Sequence, residues 1–282
     1  MNTSLFISKI ALAFILICSL EACAQTNLNK EREWTYLMYA IDDGNLSLAK
    51  KLINKGENLN FENNRGYTPL LLAISEEELE IVNLLLEKGV PINYTSSKGH
   101  TSLNVACRDG NFEIVEFLLD NGAKINPEST LMNSVSGENM SVVELILKKN
   151  SSNVNAAIKN THFCCSDNKE ESYKIEWHNW SSLLEAVHEN QLEISKLLID
   201  YGANVNIEAL KEINRLTKKE SISGWKPIFE AIQNNNLSMV KLLMENGTDI
   251  NSKLSTGETI LEFANKQGNE SIIKAISAFI KK

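Results

Sequence analysis

Residues 66–93 read GYTPLLLAISEEELEIVNLLLEKGVPIN, and this stretch decides the fold. Thr68 is suited to cap a helix through its hydroxyl, and Pro69 is suited to the first helical position, where its missing N–H costs nothing. The apolar residues that follow predict one short helix, and residues 79–88 predict a second. Gly89 ends the second helix because glycine reaches the left-handed region freely. The stretch is therefore a pair of short helices followed by an extended turn.

This unit recurs along the chain with a period of 33 residues. Three residue types keep the period: Ala40, Ala73 and Ala106; Gly56, Gly89 and Gly122; and Asn60, Asn93 and Asn126. A fixed period of this size is typical of stacked repeat proteins, whose short helices bury their apolar faces only against neighbouring repeats. Such arrays offer an extended surface, so the sequence favours binding over catalysis.

The repeats resemble the ankyrin repeat, whose pattern is Gly, then Thr-Pro-Leu-His-x-Ala, then Ile-Val-x-Leu-Leu-Leu, a Gly and a closing Asn. Residues 66–73 and 81–86 match this pattern closely, as do residues 99–106 and 114–119. Weaker copies begin at Thr35, Ser129, Ser181, Lys226 and Thr259. The resemblance implies an all-α ankyrin-repeat solenoid over residues 34–282, with about seven helix–turn–helix repeats and short fingers resembling β-hairpins.

The chain departs from the ankyrin pattern in two ways. The period is lost after the third repeat, which predicts a degenerate fourth repeat and insertions at about residues 156–179 and 207–222. Residues 207–216 are apolar at every third position, so we expect a short additional helix there. The pattern's His is also replaced in every copy, by Met38, Leu71, Asn104, Met132, Leu184, Phe229 and Glu262.

The first residues precede the array and predict a signal peptide over residues 1–23. Lys9 is followed by an apolar run at residues 10–18, which is shorter than the roughly 20 residues that a membrane-spanning helix needs. Residues 22–24 fit a cleavage site with small residues. Residues 20–23 instead resemble a bacterial lipoprotein box.

We favour the lipoprotein alternative, in which Cys23 is acylated and residues 24–33 form a polar tether. The protein is then expected to be exported to the periplasm or the outer membrane, or secreted. Its one expected membrane contact is the lipid anchor at Cys23.

The net charge of −8, from 28 basic and 36 acidic residues, limits the class of partner. No basic stripe is present to offset phosphate charge, so nucleic acid is not an expected partner. A basic or neutral protein or peptide fits better. We expect the chain to act as a monomer.

The cysteines and histidines do not predict a metal or a cofactor. Cys107 follows a core position and is expected to be a packed thiol. Cys164 and Cys165 lie in the first insertion near His162 and His178, but their spacing fits no common zinc pattern, and their role is left open. No motif supplies a nucleophile, a base and an oxyanion site together, so we do not expect an enzyme.

A row of aromatic residues is the sharpest candidate site. The residue before each helix-capping position lies on a finger, and the resemblance implies that it faces the concave side. These residues are Trp34, Tyr67, His100, Glu128, Trp180, Trp225 and Glu258. Polar residues at the bends between helices, among them Arg108, Asp109, His188 and Glu189, lie on the same side. The rings either form a binding stripe or pack structurally against neighbouring fingers.

The sequence thus predicts a protein-binding scaffold of the cell envelope. An inhibitor or immunity protein that blocks an enzyme or toxin is the alternative. A third class is a metal- or redox-responsive module that uses Cys164 and Cys165.

Overall fold

The computed structural model describes residues 34–164, 173–214 and 219–281. The predicted signal peptide, the lipidation site at Cys23 and the tether lie outside these residues. Within them, no helix has the length and apolar character needed to cross a membrane.

The described residues form fourteen α-helices and one four-stranded antiparallel sheet. The helices are α1 (Tyr36–Asp42), α2 (Leu46–Asn54), α3 (Pro69–Ser75), α4 (Leu79–Glu87), α5 (Ser102–Arg108), α6 (Phe112–Asp120), α7 (Thr130–Ser136), α8 (Met140–Lys149), α9 (Ser182–His188), α10 (Leu192–Asp200), α11 (Pro227–Gln233), α12 (Leu237–Glu245), α13 (Ile260–Gln267) and α14 (Glu270–Ile280). The strands are β1 (Ala157–Cys164), β2 (Tyr173–Ser181), β3 (Ala209–Asn214) and β4 (Lys219–Trp225).

The chain divides into two compact units, a first unit up to Ser102 and a second unit from Leu103 onward. In the first unit, α1 packs on α3 and α2 packs on α4. In the second unit, the first helices of successive repeats (α7, α9, α11 and α13) pack in one series. The second helices (α6, α8, α10, α12 and α14) pack in another. The predicted repeats of paired helices are confirmed.

Side-chain caps start the first helices of several repeats, as the sequence predicted. The hydroxyl of Thr68 accepts a hydrogen bond from the backbone N–H of Leu71 at 3.3 Å, and Pro69 follows it at the first helical position. Ser181 caps α9 in the same way. At Gly89, after α4, φ is 85°, a conformation that a side chain would strain. Local chemistry therefore sets the helix boundaries.

Most positions that carry His in the ankyrin pattern are occupied here by buried apolar side chains, as at Leu184 and Phe229 in the second unit. Asn104 and the exposed Glu262 are the polar exceptions in that unit. Asn104 hydrogen-bonds to the next repeat. Its amide donates to the Ser129 hydroxyl at 2.8 Å, and its carbonyl oxygen accepts from the Thr130 hydroxyl at 2.9 Å. Neighbouring repeats are thus joined by the packing of Phe229 on Phe263, whose ring centroids lie 5.5 Å apart, and by the hydrogen bonds of Asn104.

The two insertions form the sheet, in the order β1-β2-β3-β4. Each insertion is a hairpin, and the hairpins join because β2 pairs with β3, placing Trp177 opposite Lys211. The expectation of a helix at residues 207–216 was wrong. Ala209 and Lys211 are both buried, which is the alternation of a strand, and the pairing with β2 satisfies backbone groups that a helix would have satisfied internally.

Candidate functional site

The structure separates the residues of the aromatic row into two groups. Trp180 and Trp225 are 0% and 2% exposed, so neither ring offers its face to a partner. Trp34, Tyr67 and His100 in the first unit are half-buried and keep part of their surface in solvent. For Trp180 and Trp225, the interpretation as partner contacts is corrected to structural packing.

The burial of Trp180 and Trp225 follows from the hairpins. The ring centroid of Trp177, on β2, lies 4.5 Å from that of Trp180 and 5.5 Å from that of Trp225. The ammonium group of Lys211, on β3, lies 4.9 Å from the Trp177 centroid and 4.5 Å from the Trp225 centroid. The charge of Lys211 lies over the faces of Trp177 and Trp225. Trp177 of the first insertion thus packs on both Trp180 and Trp225, and Lys211 of the second insertion lies over Trp225.

Both buried indoles donate to carboxylates five residues farther along the chain. Nε1 of Trp180 donates to Oε2 of Glu185 at 2.6 Å, and Nε1 of Trp225 donates to Oε2 of Glu230 at 2.8 Å. Buried indole N–H groups need an acceptor, so the two carboxylates explain how the rings are tolerated inside.

Each carboxylate also binds a residue at the end of the preceding first helix. The Ser136 hydroxyl, at the end of α7, donates to Oε1 of Glu185 at 3.1 Å. Nδ1 of His188, at the end of α9, lies 2.7 Å from Oε1 of Glu230. The same arrangement of an indole, a carboxylate and a polar residue at a helix end thus occurs twice, and each copy connects successive repeats of the second unit.

His188 joins this buried network to the protein surface. Its side chain is about one-third exposed, and its ring meets the edge of Trp180 at a centroid distance of 5.8 Å. The hydrogen bond to Glu230 raises the pKa of His188, against the opposing effect of burial. The neighbouring Glu189 is exposed, with Oε1 3.9 Å from Nε2 of His188. His188 and Glu189 can therefore present charge and hydrogen-bonding groups to a partner.

Other predicted contact residues are also accessible. In the first unit, the rings of Tyr67 and His100 lie 5.4 Å apart, and Trp34 packs 5.6 Å from the exposed Tyr39. In the second unit, Nε of Arg108 lies 3.2 Å from Oδ1 of Asp109 at the bend after α5. Within each unit, these residues provide exposed surface at the positions that the sequence singled out.

Two cysteines, Cys107 and Cys164, lie within the described residues. Cys107 is fully buried, as predicted, and desolvation raises the pKa of its thiol to about 12. Cys164 ends β1, whereas Cys165 lies outside the described residues. Cys107 is therefore a core residue and not a reactive thiol.

A group of potential metal ligands lies on the other face of the sheet. Ligand atoms of Glu176, His178 and Glu212 all lie within 4.8 Å of one another. Each carboxylate also carries an ammonium partner at 2.9 Å, Lys159 on Glu176 and Lys219 on Glu212. In this structure the two carboxylates therefore form cross-strand ion pairs with lysines.

Sequence reasoning missed Glu185 and Glu230. Both follow a Trp by five residues, in the pairs Trp180–Glu185 and Trp225–Glu230, and that repeated spacing was a visible signal. Lys211 was missed because one of its ring partners, Trp177, lies in the other insertion, and the other, Trp225, lies across a hairpin where the sequence predicted a helix.

Comparison with protein families agrees with this geometry. A model of ankyrin repeats matches residues 9–96, 37–129 and 207–280, and a model of a single ankyrin repeat matches residues 178–209. The chain belongs to the ankyrin repeat family. Ankyrin repeats are protein–protein interaction modules, and their family members are typically non-enzymatic binding scaffolds.

Solved structures share the ankyrin fold at low sequence identity. The human ASB11 ankyrin repeat domain is 21% identical with a TM-score of 0.67, covering 87% of this chain and 98% of that one. The ankyrin repeat domain of Bcl-3, described as a unique member of the IkappaB family, is 24% identical with a TM-score of 0.62, covering 89% and 100%.

A third similar chain comes from the structure of a predatory endopeptidase of Bdellovibrio bacteriovorus in complex with an immunity protein. It is 22% identical with a TM-score of 0.56, covering 77% of this chain and 100% of that one. No curated protein matches the sequence. At these identities the likeness establishes the fold alone.

Proposed function

We propose that this chain is a protein-binding scaffold of the bacterial cell envelope, with no catalytic activity of its own. The observation that carries the proposal is its membership of the ankyrin family over most of its length, since ankyrin repeats bind proteins. In each unit the residues at the helix bends and on the fingers supply the contact surface. The ankyrin fold does not determine which partner binds, because the side chains on the surface determine specificity.

We select the proposed contact residues as those predicted residues whose side chains are at least partly exposed. In the second unit they are His188, Glu189, Arg108 and Asp109, which combine partial exposure with charge. In the first unit they are Trp34, Tyr67 and His100. Trp180 and Trp225 do not contribute to this surface, because their rings are buried.

The partner is expected to be a basic or neutral protein or peptide, and the protein is expected to bind it as a monomer. The net charge of −8 favours a partner of opposite charge and speeds association with it. The apolar run before Cys23 supports export, and acylation of Cys23 would supply the membrane anchor. A Cys23→Ser variant should lose palmitate labelling and leave the membrane fraction; labelling that survives the substitution would exclude this anchor.

An inhibitor or immunity protein is a second candidate. The specific observation in its favour is the similarity to a chain in a complex between an endopeptidase and an immunity protein. Such a protein would bind one enzyme in a one-to-one complex and block it. A scaffold, in contrast, would leave its partner's activity intact.

The test is affinity capture from envelope extracts, using a variant in which two exposed acids at the bends are reversed. Glu189→Lys combined with Asp109→Lys should abolish capture of the partner. The control reverses Glu193 and Glu245, which are exposed on the second helices α10 and α12, and changes net charge by the same amount.

The proposed surface is correct if the control captures the partner and the bend variant does not. Equal capture by both variants would place the contact elsewhere on the chain. Assaying the captured protein with and without this chain decides between the two candidates, since only an inhibitor abolishes its partner's activity.

A further inference from the structure

The first unit contains an apolar pocket of about 150 Å³. Its floor is made mainly by the buried side chains of Leu70, Leu71 and Val90, and the buried Thr68 and Ser102 also line it. Its rim is made by Asn60, Pro91 and Tyr94, all of which are exposed. The pocket therefore has an apolar interior that opens to the surface between two fingers.

The floor is apolar for a reason particular to this chain. Leu71 stands where the ankyrin pattern has a His, and no charged residue lines the pocket. An apolar cavity of about 150 Å³ in another protein stays dry and binds benzene, so a pocket of this size accepts one small apolar group. An apolar group that enters such a pocket leaves water for a mainly apolar environment, which is the favourable direction of transfer.

The rim is held in place before anything binds. The Tyr94 hydroxyl donates to Glu62 at 2.7 Å, and the backbone N–H of Ser97 donates to the same carboxylate at 2.9 Å. The Ser97 hydroxyl also donates to it. These hydrogen bonds, with that of the Ser97 hydroxyl largest, lower the pKa of Glu62. A negative charge therefore lies beside the pocket at neutral pH.

We propose that this pocket binds one apolar side chain of a protein partner, of the size of Leu or Phe, from a segment whose neighbouring basic residue faces Glu62. The proposal rests on the proposed protein-binding function and specifies part of its chemistry. The apolar floor fits the anchor side chain, and the carboxylate of Glu62 together with the net charge of −8 fits a basic neighbour.

The first experiment tests the pocket itself, with benzene as the probe. Leu71→His restores the ankyrin residue and places a polar ring in the floor. Met38→His makes the same change at the equivalent buried position of the preceding repeat, which does not line the pocket. Chemical shifts of Val90 and Tyr94 should move with benzene in the wild type and in Met38→His. In Leu71→His, benzene affinity should fall at least tenfold.

A third variant tests the pocket even if Leu71→His does not fold. Tyr94→Ala removes one wall of the pocket from an exposed position, so the chain should fold while benzene affinity falls several-fold. The proposal is overturned if benzene leaves the wild-type shifts unchanged, or if neither Leu71→His nor Tyr94→Ala weakens its binding.

The second experiment tests the partner chemistry, by selecting displayed random peptides against the wild type. Selected peptides should carry Leu or Phe next to Lys or Arg, compete with benzene, and bind Met38→His but not Leu71→His. Glu62→Gln should weaken them about tenfold. Peptides that bind regardless of benzene and of Leu71→His overturn the pocket proposal and leave the protein-binding function standing. Benzene binding without any selected peptide overturns the partner assignment.

Discussion

The indole N–H of Trp225 donates a hydrogen bond to Glu230, whose Oε2 lies 2.8 Å away inside the second unit. The other carboxylate oxygen lies 2.7 Å from Nδ1 of His188. Glu230 is fully buried, so these partners replace the water that a carboxylate would otherwise bind. The Glu230 side chain thus connects the Trp225 ring to the end of α9, the first helix of the preceding repeat.

Replacing Glu230 with Leu should destabilise the protein by about 2–4 kcal/mol, because the Trp225 N–H and His188 both lose their buried acceptor. Urea unfolding followed by circular dichroism measures the change. Glu245→Leu, at an exposed position on α12, is the control and should stay within about 0.5 kcal/mol of the wild type. If the two variants unfold at the same urea concentration, the network contributes nothing to stability.

Replacing Trp225 with Ala should cost about 3–5 kcal/mol, since the ring is buried against Trp177, Phe229 and Phe263. Trp34→Ala, at a half-buried ring, should cost much less. Thermal unfolding of both variants gives the comparison. A Trp225→Ala protein that melts at the same temperature as the wild type would mean that this ring does not stabilise the core.

The stability of the second unit should depend on the protonation of His188. Its folded pKa is raised above the ordinary value of 6.5, so the protonated imidazole is favoured in the folded state. The resulting stabilisation is fully present below about pH 6.5 and is lost as the pH rises through the raised pKa. Each unit of increase in the pKa corresponds to about 1.4 kcal/mol.

The measurement is the difference in free energy of unfolding between the wild type and His188→Gln, from pH 5 to pH 9. Glutamine keeps a hydrogen bond to Glu230 within reach but does not titrate in this range. The difference should decline with rising pH. A difference that is constant over the whole range would mean that His188 is not charged preferentially in the folded state.

The regular part of the fold could be predicted because its determinants are local. Thr68 and Pro69 favour the start of a helix whatever the tertiary contacts are, and Gly89 ends a helix because glycine adopts the left-handed conformation freely. The 33-residue period then implies stacking, since neither helix of a pair can bury its apolar face alone. Those signals need no knowledge of distant residues.

The sheet and the burial of the Trp residues could not be predicted in this way. The state of residues 209–214 depends on pairing with β2, more than 30 residues earlier, and their sequence alone fits a period of three as well as a strand. The burial of Trp225 depends on Lys211 in the same hairpin and on Trp177 in the other. At these residues, tertiary contacts decide the structure, and the local sequence pattern does not.

The thiol of Cys107 should be unreactive in the folded protein. Its side chain has no exposed surface, and desolvation raises its pKa to about 12, so almost no thiolate forms at pH 8. The test uses residues 24–282 with Cys164→Ser and Cys165→Ser, which leaves Cys107 as the single thiol. An aromatic disulfide reagent should react with it only as fast as the second unit opens, and at full speed in denaturant.

Ser141→Cys, added on the exposed face of α8, provides a control thiol that should react within minutes without denaturant. If Cys107 reacts as fast as this control, the interior around α5 opens freely, and Cys107 is not a packed core residue.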